Sequence, residues 1–132
     1  MKLALDTNAY SDLQRGGAKQ LEPTVNKADL LVLPFVVDAE LKAGFKKGQR
    51  EKENYDKLQK FQALDRIVVL WPDEETNELY AKVWAELAAK GEPIPTNDVW
   101  IAAICLQHHL TLATSDIHFK NVPILPTIPI EG

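Results

Sequence analysis

The sequence contains a single cysteine, Cys105, in a chain of 132 residues. One cysteine forms no internal disulfide, and its neighbours Ile104 and Leu106 indicate a small buried side chain rather than a thiolate metal ligand. No apolar run approaches the roughly 20 residues that span a bilayer, and the N-terminus has neither the charged leader nor the cleavage site of a secretory signal. These absences exclude a disulfide scaffold, and we expect a cytoplasmic protein without a membrane span.

Two common catalytic motifs are also absent. The sequence has no G-x-S-x-G turn, which presents a nucleophilic serine, and no G-x-x-x-x-G-K-[ST] loop, which holds phosphate groups. No Ser-His-Asp or Cys-His arrangement is visible either. The sequence therefore favours chemistry carried by other side chains.

Positive charge is scarce overall. The formal net charge is −4, whereas proteins that bind polyanions usually cluster lysine and arginine. The segment from residue 42 to residue 60 is the exception, because its Lys and Arg residues outnumber its acids. This segment is either a solvated helix face with acid-base pairs or a surface that binds phosphate groups.

The composition is that of a folded domain, with 45% apolar and 26% charged residues, and we predict one domain over residues 1–132. Short apolar segments predict strands at 2–5, 30–33, 67–71 and 111–114, with a further edge strand around 123–125. Apolar residues at spacings of three and four predict helices at 35–48, 51–65, 74–90 and 96 to about 109, the last with Thr96 as its N-cap. Apolar strands separated by helices predict an α/β fold, with a central, mainly parallel sheet of four to five strands flanked by helices.

Four acidic residues belong to one edge of this predicted sheet. Asp6 and Asp116 follow predicted strands, Glu40 lies early in a helix that follows another strand, and Asp98 lies in the first turn of its helix. Each acid alone is explained as a helix cap, a turn former or a partner of the helix dipole. Together, at the carboxyl ends of parallel strands, they repel one another unless a cation lies between them.

A divalent cation with hard oxygen ligands, Mg²⁺ or Mn²⁺, suits such a set without any cysteine or histidine. Thr7, Asn8 and Asn97 stand beside these acids in the sequence, and we expect them to hydrogen-bond the carboxylates or the metal's water molecules. Metal sites of this kind activate water for hydrolysis of phosphodiester bonds. The sequence therefore predicts a metal-dependent phosphodiesterase.

Four short motifs resemble those of the PIN-domain ribonucleases, and within them the VapC-type toxins of toxin-antitoxin operons. These motifs are "LDTNAY", "VVDAELKAG", "TNDVWIAA" and "LATSDIHF", in this order along nearly the whole chain. The resemblance implies a PIN-like α/β/α sandwich and a Mg²⁺- or Mn²⁺-dependent endoribonuclease with Asp6, Glu40, Asp98 and Asp116 as catalytic, metal-binding acids. It also implies a cognate antitoxin protein as partner, and homodimers.

One position departs from the family, since many members carry arginine immediately before the fourth acid, where this chain has Ser115. We expect Ser115 to hydrogen-bond a water molecule of the metal, and His118 to have a structural role in the following turn. We interpret the basic segment as a guide for the RNA backbone, and we predict that Arg15, Lys42, Lys46 and Lys47 contact it. We expect Lys19 to take part in guiding the RNA backbone as well.

Two other functions stay open at this point. Asp6 is at the position of the nucleophile in phosphohydrolases and phosphotransferases that form an aspartyl-phosphate, although Asn8 replaces their usual second acid. Alternatively, a PIN-like fold without catalysis would only bind RNA or a protein partner.

Overall fold

Strands and helices alternate along most of the chain. The structure, a computed structural model, describes residues 1–17 and 19–130. The strands are β1 (Lys2–Leu5), β2 (Leu30–Pro34), β3 (Ile67–Leu70), β4 (Thr111–Thr114) and β5 (Thr127–Pro129). The α-helices are α1 (Thr7–Gln14), α2 (Glu22–Lys27), α3 (Phe35–Lys47), α4 (Glu51–Gln62), α5 (Glu74–Lys90) and α6 (Thr96–Gln107), and a 3₁₀ helix spans Ile117–Asn121.

The five strands form one parallel sheet in the order β3-β2-β1-β4-β5. Strand β1 is central, since Leu3 is paired with Leu31 of β2 on one side and with Thr111 of β4 on the other. Consecutive residues of β1, β2 and β4 are buried, so both faces of the sheet are covered. The predicted α/β fold, with a parallel sheet flanked by helices, is confirmed.

The core lies between this sheet and its helices. Leu5, Leu33 and Leu112 of the central strands are completely buried, and α6 buries Ile101 and Ile104 beside them. Burial of each such side chain contributes about 1.5–3 kcal/mol. None of the helices in the described part of the chain combines the length and apolar character needed to cross a membrane.

Connections at the carboxyl edge of the sheet are very short. Asp6 alone separates β1 from α1, and β2 runs directly into α3 at Phe35. Ser115 and Asp116 alone separate β4 from the 3₁₀ helix. Such short connections fix the positions of their side chains relative to the buried strands, so this edge is suited to hold a site.

Several predicted bounds are confirmed and several are wrong. The edge strand is not at 123–125 but at β5, because the chain turns there through a hydrogen bond from Leu125 N to Val122 O of 3.0 Å. Thr96 is not a side-chain N-cap, since α6 begins at Thr96 itself and Pro95 takes the capping position. Helices α1 and α2 are additions to the prediction, and α4 and α6 end two or three residues early.

Candidate active site

All four predicted acids line a single cleft of about 210 Å³ at the carboxyl edge of the sheet. Asp6 comes from the β1–α1 junction, Glu40 from α3, Asp98 from the first turn of α6, and Asp116 from the residue that caps the 3₁₀ helix. Four separate segments therefore supply one acid each. The structure brings together what the sequence predicts as a set.

Asp6 is the most deeply buried of these acids, with 6% of its surface exposed. Its Oδ1 accepts a hydrogen bond of 2.8 Å from the Ala9 N–H, so the side chain is the N-cap of α1. Its Oδ2 accepts a hydrogen bond of 2.5 Å from the Thr114 hydroxyl at the end of β4. Both oxygens are thus held in place before any ligand binds.

Glu40 is held by two polar neighbours that the sequence predicts as supporting residues. The Thr7 hydroxyl donates to Oε1 at 3.0 Å, and the Asn97 amide donates to Oε2 at 3.4 Å. These contacts link α3 to the first turns of α1 and α6. They orient the carboxylate toward the cleft, as expected for groups that surround a metal ligand.

Asn8 and Ser115 form no side-chain hydrogen bond with the acids in the described part of the chain. Asn8 lines the cleft and is exposed. Ser115 is also exposed, but it is absent from the cleft lining among the described residues. Asn8 therefore has access to a ligand in the cleft, whereas Ser115 faces solvent beside it.

His118 contacts two of the acids. Its Nδ1 lies 2.9 Å from Asp116 Oδ1 and 3.2 Å from Asp98 Oδ2. Ligand atoms of Asp98, Asp116 and His118 all lie within 4.8 Å of one another, close enough to hold one metal ion. The sequence pattern favours a structural role in the turn, and it does not reveal this contact.

Burial and mutual repulsion raise the pKa values of two acids. Burial is the main reason that the pKa of Asp6 is raised, and its hydrogen bonds to Thr114 and Ala9 oppose that shift. Burial, followed by the charge of Asp116, raises the pKa of Asp98 to about 6, and the contact with His118 opposes this shift. No lysine or arginine of the described residues lines the cleft, so no positive side chain there offsets the repulsion between the acids. A bound cation would relieve this repulsion.

The donor set of the cleft fits a divalent cation. Carboxylate oxygens are hard ligands that suit Mg²⁺ and Mn²⁺, and the hydrogen bonds around Asp6 and Glu40 leave the acids preoriented. Cys105 offers no alternative chemistry, because it is completely buried and burial raises the pKa of its thiol. The prediction that Cys105 is buried is confirmed.

Three of the four basic residues predicted to contact RNA lie on α3, outside the acidic cleft. Lys42 forms an ion pair of 2.9 Å with the buried Asp38. Lys46 pairs with Glu51 at 3.2 Å, and Lys47 is exposed at the end of the helix. Part of the predicted charge is therefore neutralised by neighbouring acids.

Arg15 lines a second cavity, of about 300 Å³, between α1, α3 and α4. Arg50 and Lys57 line the same cavity, together with the aromatic ring of Phe45. Helix α1 connects the two cavities, since Thr7 and Asn8 at its start line the acidic cleft and its last turns line the basic cavity. The structure thus places positive charge beside the acids rather than among them.

Thr114 is a further residue of the site that the sequence pattern does not reveal. Its hydroxyl donates to Asp6 and accepts from the backbone N–H of Asp116 at 2.9 Å. One threonine therefore connects two acids that lie on neighbouring segments. In the sequence, only its position could have indicated this role, because Thr114 lies two residues before Asp116 at the end of a predicted strand.

The parallel α/β sheet with acids at its carboxyl edge defines the class of protein, and a family model for the PIN domain matches residues 3–125. The chain belongs to the PIN domain family. It is similar to Ribonuclease VapC1 of Haemophilus influenzae strain R2866, with 34% identity over 121 residues that cover 86% of this chain and 85% of the relative. It is also similar to Ribonuclease VapC2 of Rickettsia felis, with 31% identity over 100 residues, 75% of this chain and 73% of the relative. The predicted resemblance to VapC-type PIN proteins is confirmed.

Solved structures of such proteins share the fold over nearly the whole chain. VapBC-1 from nontypeable Haemophilus influenzae has a TM-score of 0.86 and 28% identity, with 98% of each chain covered. VapBC2 from Rickettsia felis, bound to a DNA fragment from their promoter, has a TM-score of 0.83 and 27% identity, with 99% of this chain and 100% of that chain covered. The family model, which matches residues 3–125, covers all four segments that supply an acid to the cleft.

Proposed function

We propose that this chain is an endoribonuclease that depends on Mg²⁺ or Mn²⁺, acts as a single PIN domain over residues 1–132, and is the toxin of a toxin-antitoxin pair. The observation that carries the proposal is the convergence of Asp6, Glu40, Asp98 and Asp116 in one cleft. The relatives from Haemophilus influenzae and Rickettsia felis are named ribonucleases, which supports RNA as the substrate.

In this proposal the four acids hold the metal, and their neighbours hold the acids. When bound, the cation would supply activation of a water molecule and neutralisation of negative charge at the phosphate. Asp6 is fixed by Ala9 and Thr114, so its carboxylate is preoriented at the buried end of the cleft. Thr7 and Asn97 orient Glu40. Asn8 is available to bind water or the RNA backbone within the cleft, and Ser115 is available to bind them beside it.

The sequence and the relatives disfavour an aspartyl-phosphate mechanism. Asn8 stands where this chemistry usually has a second acid, two residues after the nucleophile. The relatives from Haemophilus influenzae and Rickettsia felis are named ribonucleases. A module that only binds would not need four acids in one cleft, because their repulsion costs stability.

We propose that Arg15, Lys42, Lys46 and Lys47 guide the RNA backbone toward the cleft. Arg15 lies in the basic cavity that α1 connects to the acids, and Lys47 is exposed at the end of α3. Unpaired RNA in loops suits such a surface, because its backbone and bases are accessible to a narrow cleft.

We also propose a cognate antitoxin, a homodimer and a cytoplasmic location. The solved relatives are VapBC assemblies, and large aromatic side chains are exposed on this chain, with Trp71 at 66% and Trp84 at 56%. Exposed aromatic surface is typical of protein interfaces. Sedimentation of the purified chain, alone and with its antitoxin, tests both assemblies: a monomer at micromolar concentration would contradict the homodimer.

RNA cleavage by matched variants tests the proposed activity. Structured RNA is incubated with the chain, with Asp98→Asn and with Asp65→Asn, in Mn²⁺, in Mg²⁺ and in a chelator, and the new RNA ends are sequenced. Asp65 is an exposed acid in the turn before β3, at the opposite edge of the sheet, so this control makes the same chemical change outside the cleft.

We expect discrete cleavage by the wild type and by Asp65→Asn that requires metal, and at least a hundredfold less by Asp98→Asn. Equal cleavage by Asp98→Asn would contradict the proposed site. Cleavage that persists in the chelator would contradict metal dependence.

A further inference from the structure

We propose that His118 is a metal ligand together with Asp98 and Asp116, and that its nitrogen gives the site a preference for Mn²⁺ over Mg²⁺. This inference rests on the proposed function only in that the acids of the cleft hold a divalent cation. It adds a nitrogen ligand to the four acids, and it predicts which of the two ions the site with this nitrogen prefers.

The distances from His118 to the two acids match adjacent positions around one ion, and the ligand atoms of all three residues lie within 4.8 Å of one another. His118 Nδ1 lies 2.9 Å from Asp116 Oδ1 and 3.2 Å from Asp98 Oδ2. Adjacent ligands of an octahedral ion with bonds near 2.1 Å are separated by about 3 Å. The ring nitrogen therefore points at the place where both carboxylates would share a cation.

The backbone around His118 is fixed before any ion binds. The Thr114 hydroxyl accepts from the Asp116 N–H at 2.9 Å, and Asp116 Oδ1 accepts from the His118 N–H at 2.9 Å. The next residue, Phe119, is buried at 2% exposure and anchors the 3₁₀ helix in the core. These contacts fix the backbone of His118 beside Asp98 and Asp116, so the imidazole reaches an ion between these acids without a rearrangement of the backbone.

The chemistry of the ring nitrogen discriminates between ions. Mg²⁺ takes oxygen ligands and retains water, whereas imidazole is a good ligand for first-row transition metals. A site of carboxylates alone binds Mg²⁺ and Mn²⁺ through the same type of donor. The addition of His118 to Asp98 and Asp116 therefore favours Mn²⁺ selectively.

Two variants of His118 separate the nitrogen from the shape of the side chain. His118→Asn retains a polar atom near the position of Nδ1 but can offer an amide oxygen, which is a hard ligand. His118→Ala removes the donor altogether. His109→Asn is the matched control, because His109 is exposed and has a φ of 56°, a left-handed conformation that asparagine tolerates.

The measurements use the full chain and do not depend on RNA cleavage. Electron spin echo envelope modulation (ESEEM) spectroscopy of bound Mn²⁺ detects a directly coordinated ¹⁴N nucleus. Calorimetric titrations with Mn²⁺ and with Mg²⁺ give the ratio of their dissociation constants. We expect a ¹⁴N signal in the wild type and in His109→Asn, and its loss in both His118 variants.

In His118→Asn we expect the preference for Mn²⁺ to fall by about tenfold, while Mg²⁺ affinity changes much less. Mn²⁺ bound without a ¹⁴N signal in the wild type would overturn the inference, and so would an unchanged preference in His118→Asn. RNA cleavage without the ¹⁴N signal would refute the role of His118 alone. The ¹⁴N signal without RNA cleavage would refute the nuclease and leave the ligand set intact.

Discussion

Replacement of Asp98 by asparagine is expected to stabilise the metal-free chain at neutral pH while it weakens metal binding. Burial and the charge of Asp116 raise the pKa of Asp98 from 3.8 to about 6 in the folded chain. In the unfolded chain the carboxyl group ionises near its ordinary value. The favourable contribution of Asp98 to the free energy of unfolding is therefore fully present below pH 4. It is lost as the pH rises through 6, because the folded chain then has to ionise a buried carboxyl group.

The size of this effect follows from the two pKa values. A difference of about two pH units corresponds to about 3 kcal/mol, and water in the open cleft screens roughly half of it. Asparagine also loses about 0.5 kcal/mol of favourable interaction with the dipole of α6, because residue 98 lies in its first turn. We therefore expect Asp98→Asn to gain about 1 kcal/mol above pH 7 and nothing near pH 4.

Urea unfolding at pH 4 and pH 7.5, in a chelator and in Mn²⁺, measures these differences. The wild type and Asp65→Asn should gain about 2.7 kcal/mol in Mn²⁺ at a hundred times the dissociation constant, and Asp98→Asn should gain far less. The order of stability should thus reverse when Mn²⁺ replaces the chelator. An Asp98→Asn chain that is less stable than the wild type in chelator at pH 7.5 would refute the argument from repulsion, and equal stabilisation by Mn²⁺ would refute Asp98 as a ligand.

Three further changes test other parts of the structure. Thr114→Val removes the hydroxyl that donates to Asp6, so urea unfolding should show a loss of about 2 kcal/mol; a loss under about 0.5 kcal/mol would show that this hydrogen bond is not needed. The double substitution of Lys46 and Lys47 by glutamate should weaken RNA binding by about tenfold in low salt and by less in high salt, as measured by fluorescence anisotropy. Unchanged affinity would contradict the guiding role of these lysines. Leu33→Ala should cost about 2–5 kcal/mol in the same unfolding assay, because Leu33 is completely buried in β2, and a smaller cost would indicate that the core closes around the cavity.

The elements with strong local signals could be predicted closely from the sequence. Helix α5 occupies residues 74–90 as predicted, because Asp73 and Thr76 form a capping box at its start and Gly91 ends it with a φ of 68°. The central strands were equally accessible, since runs such as residues 2–5 are apolar at every buried position. In both cases the information lies within a few neighbouring residues.

Helix α1 was missed because its stability comes from contacts that its own residues do not show. The segment "TNAYSDLQ" is short and on average polar, and its apolar residues Ala9, Tyr10 and Leu13 span only about one turn. Asp6 caps its start, and Ala9 and Tyr10 are buried against the core. Aspartate is a preferred N-cap residue, so Asp6 directly after a predicted strand was a usable signal of the helix start.

The residues of the site show the same difference between those that the sequence predicts and those that it does not. The four acids could be predicted, because each directly follows a strand or lies in the first two turns of a helix at the same edge of the sheet. The contact between His118 and Asp98 could not, because it joins the 3₁₀ helix to α6. Likewise, Thr114 meets Asp6 across 108 residues of sequence, and only the pairing of β1 with β4 brings them together.

The central position of β1 has a consequence for how the protein is made. Strand β1 is translated before the other four strands, and β4, one of its two hydrogen-bonded neighbours, follows more than a hundred residues later. At about 5–20 residues per second, the nascent β1 waits about 5–20 s with one edge unpaired. Asp116, which completes the cleft, is translated later still. A ribosome that stalls before β4 therefore carries a fragment without Asp116, so the cleft with its four acids cannot form until β4 and the two residues after it have been translated.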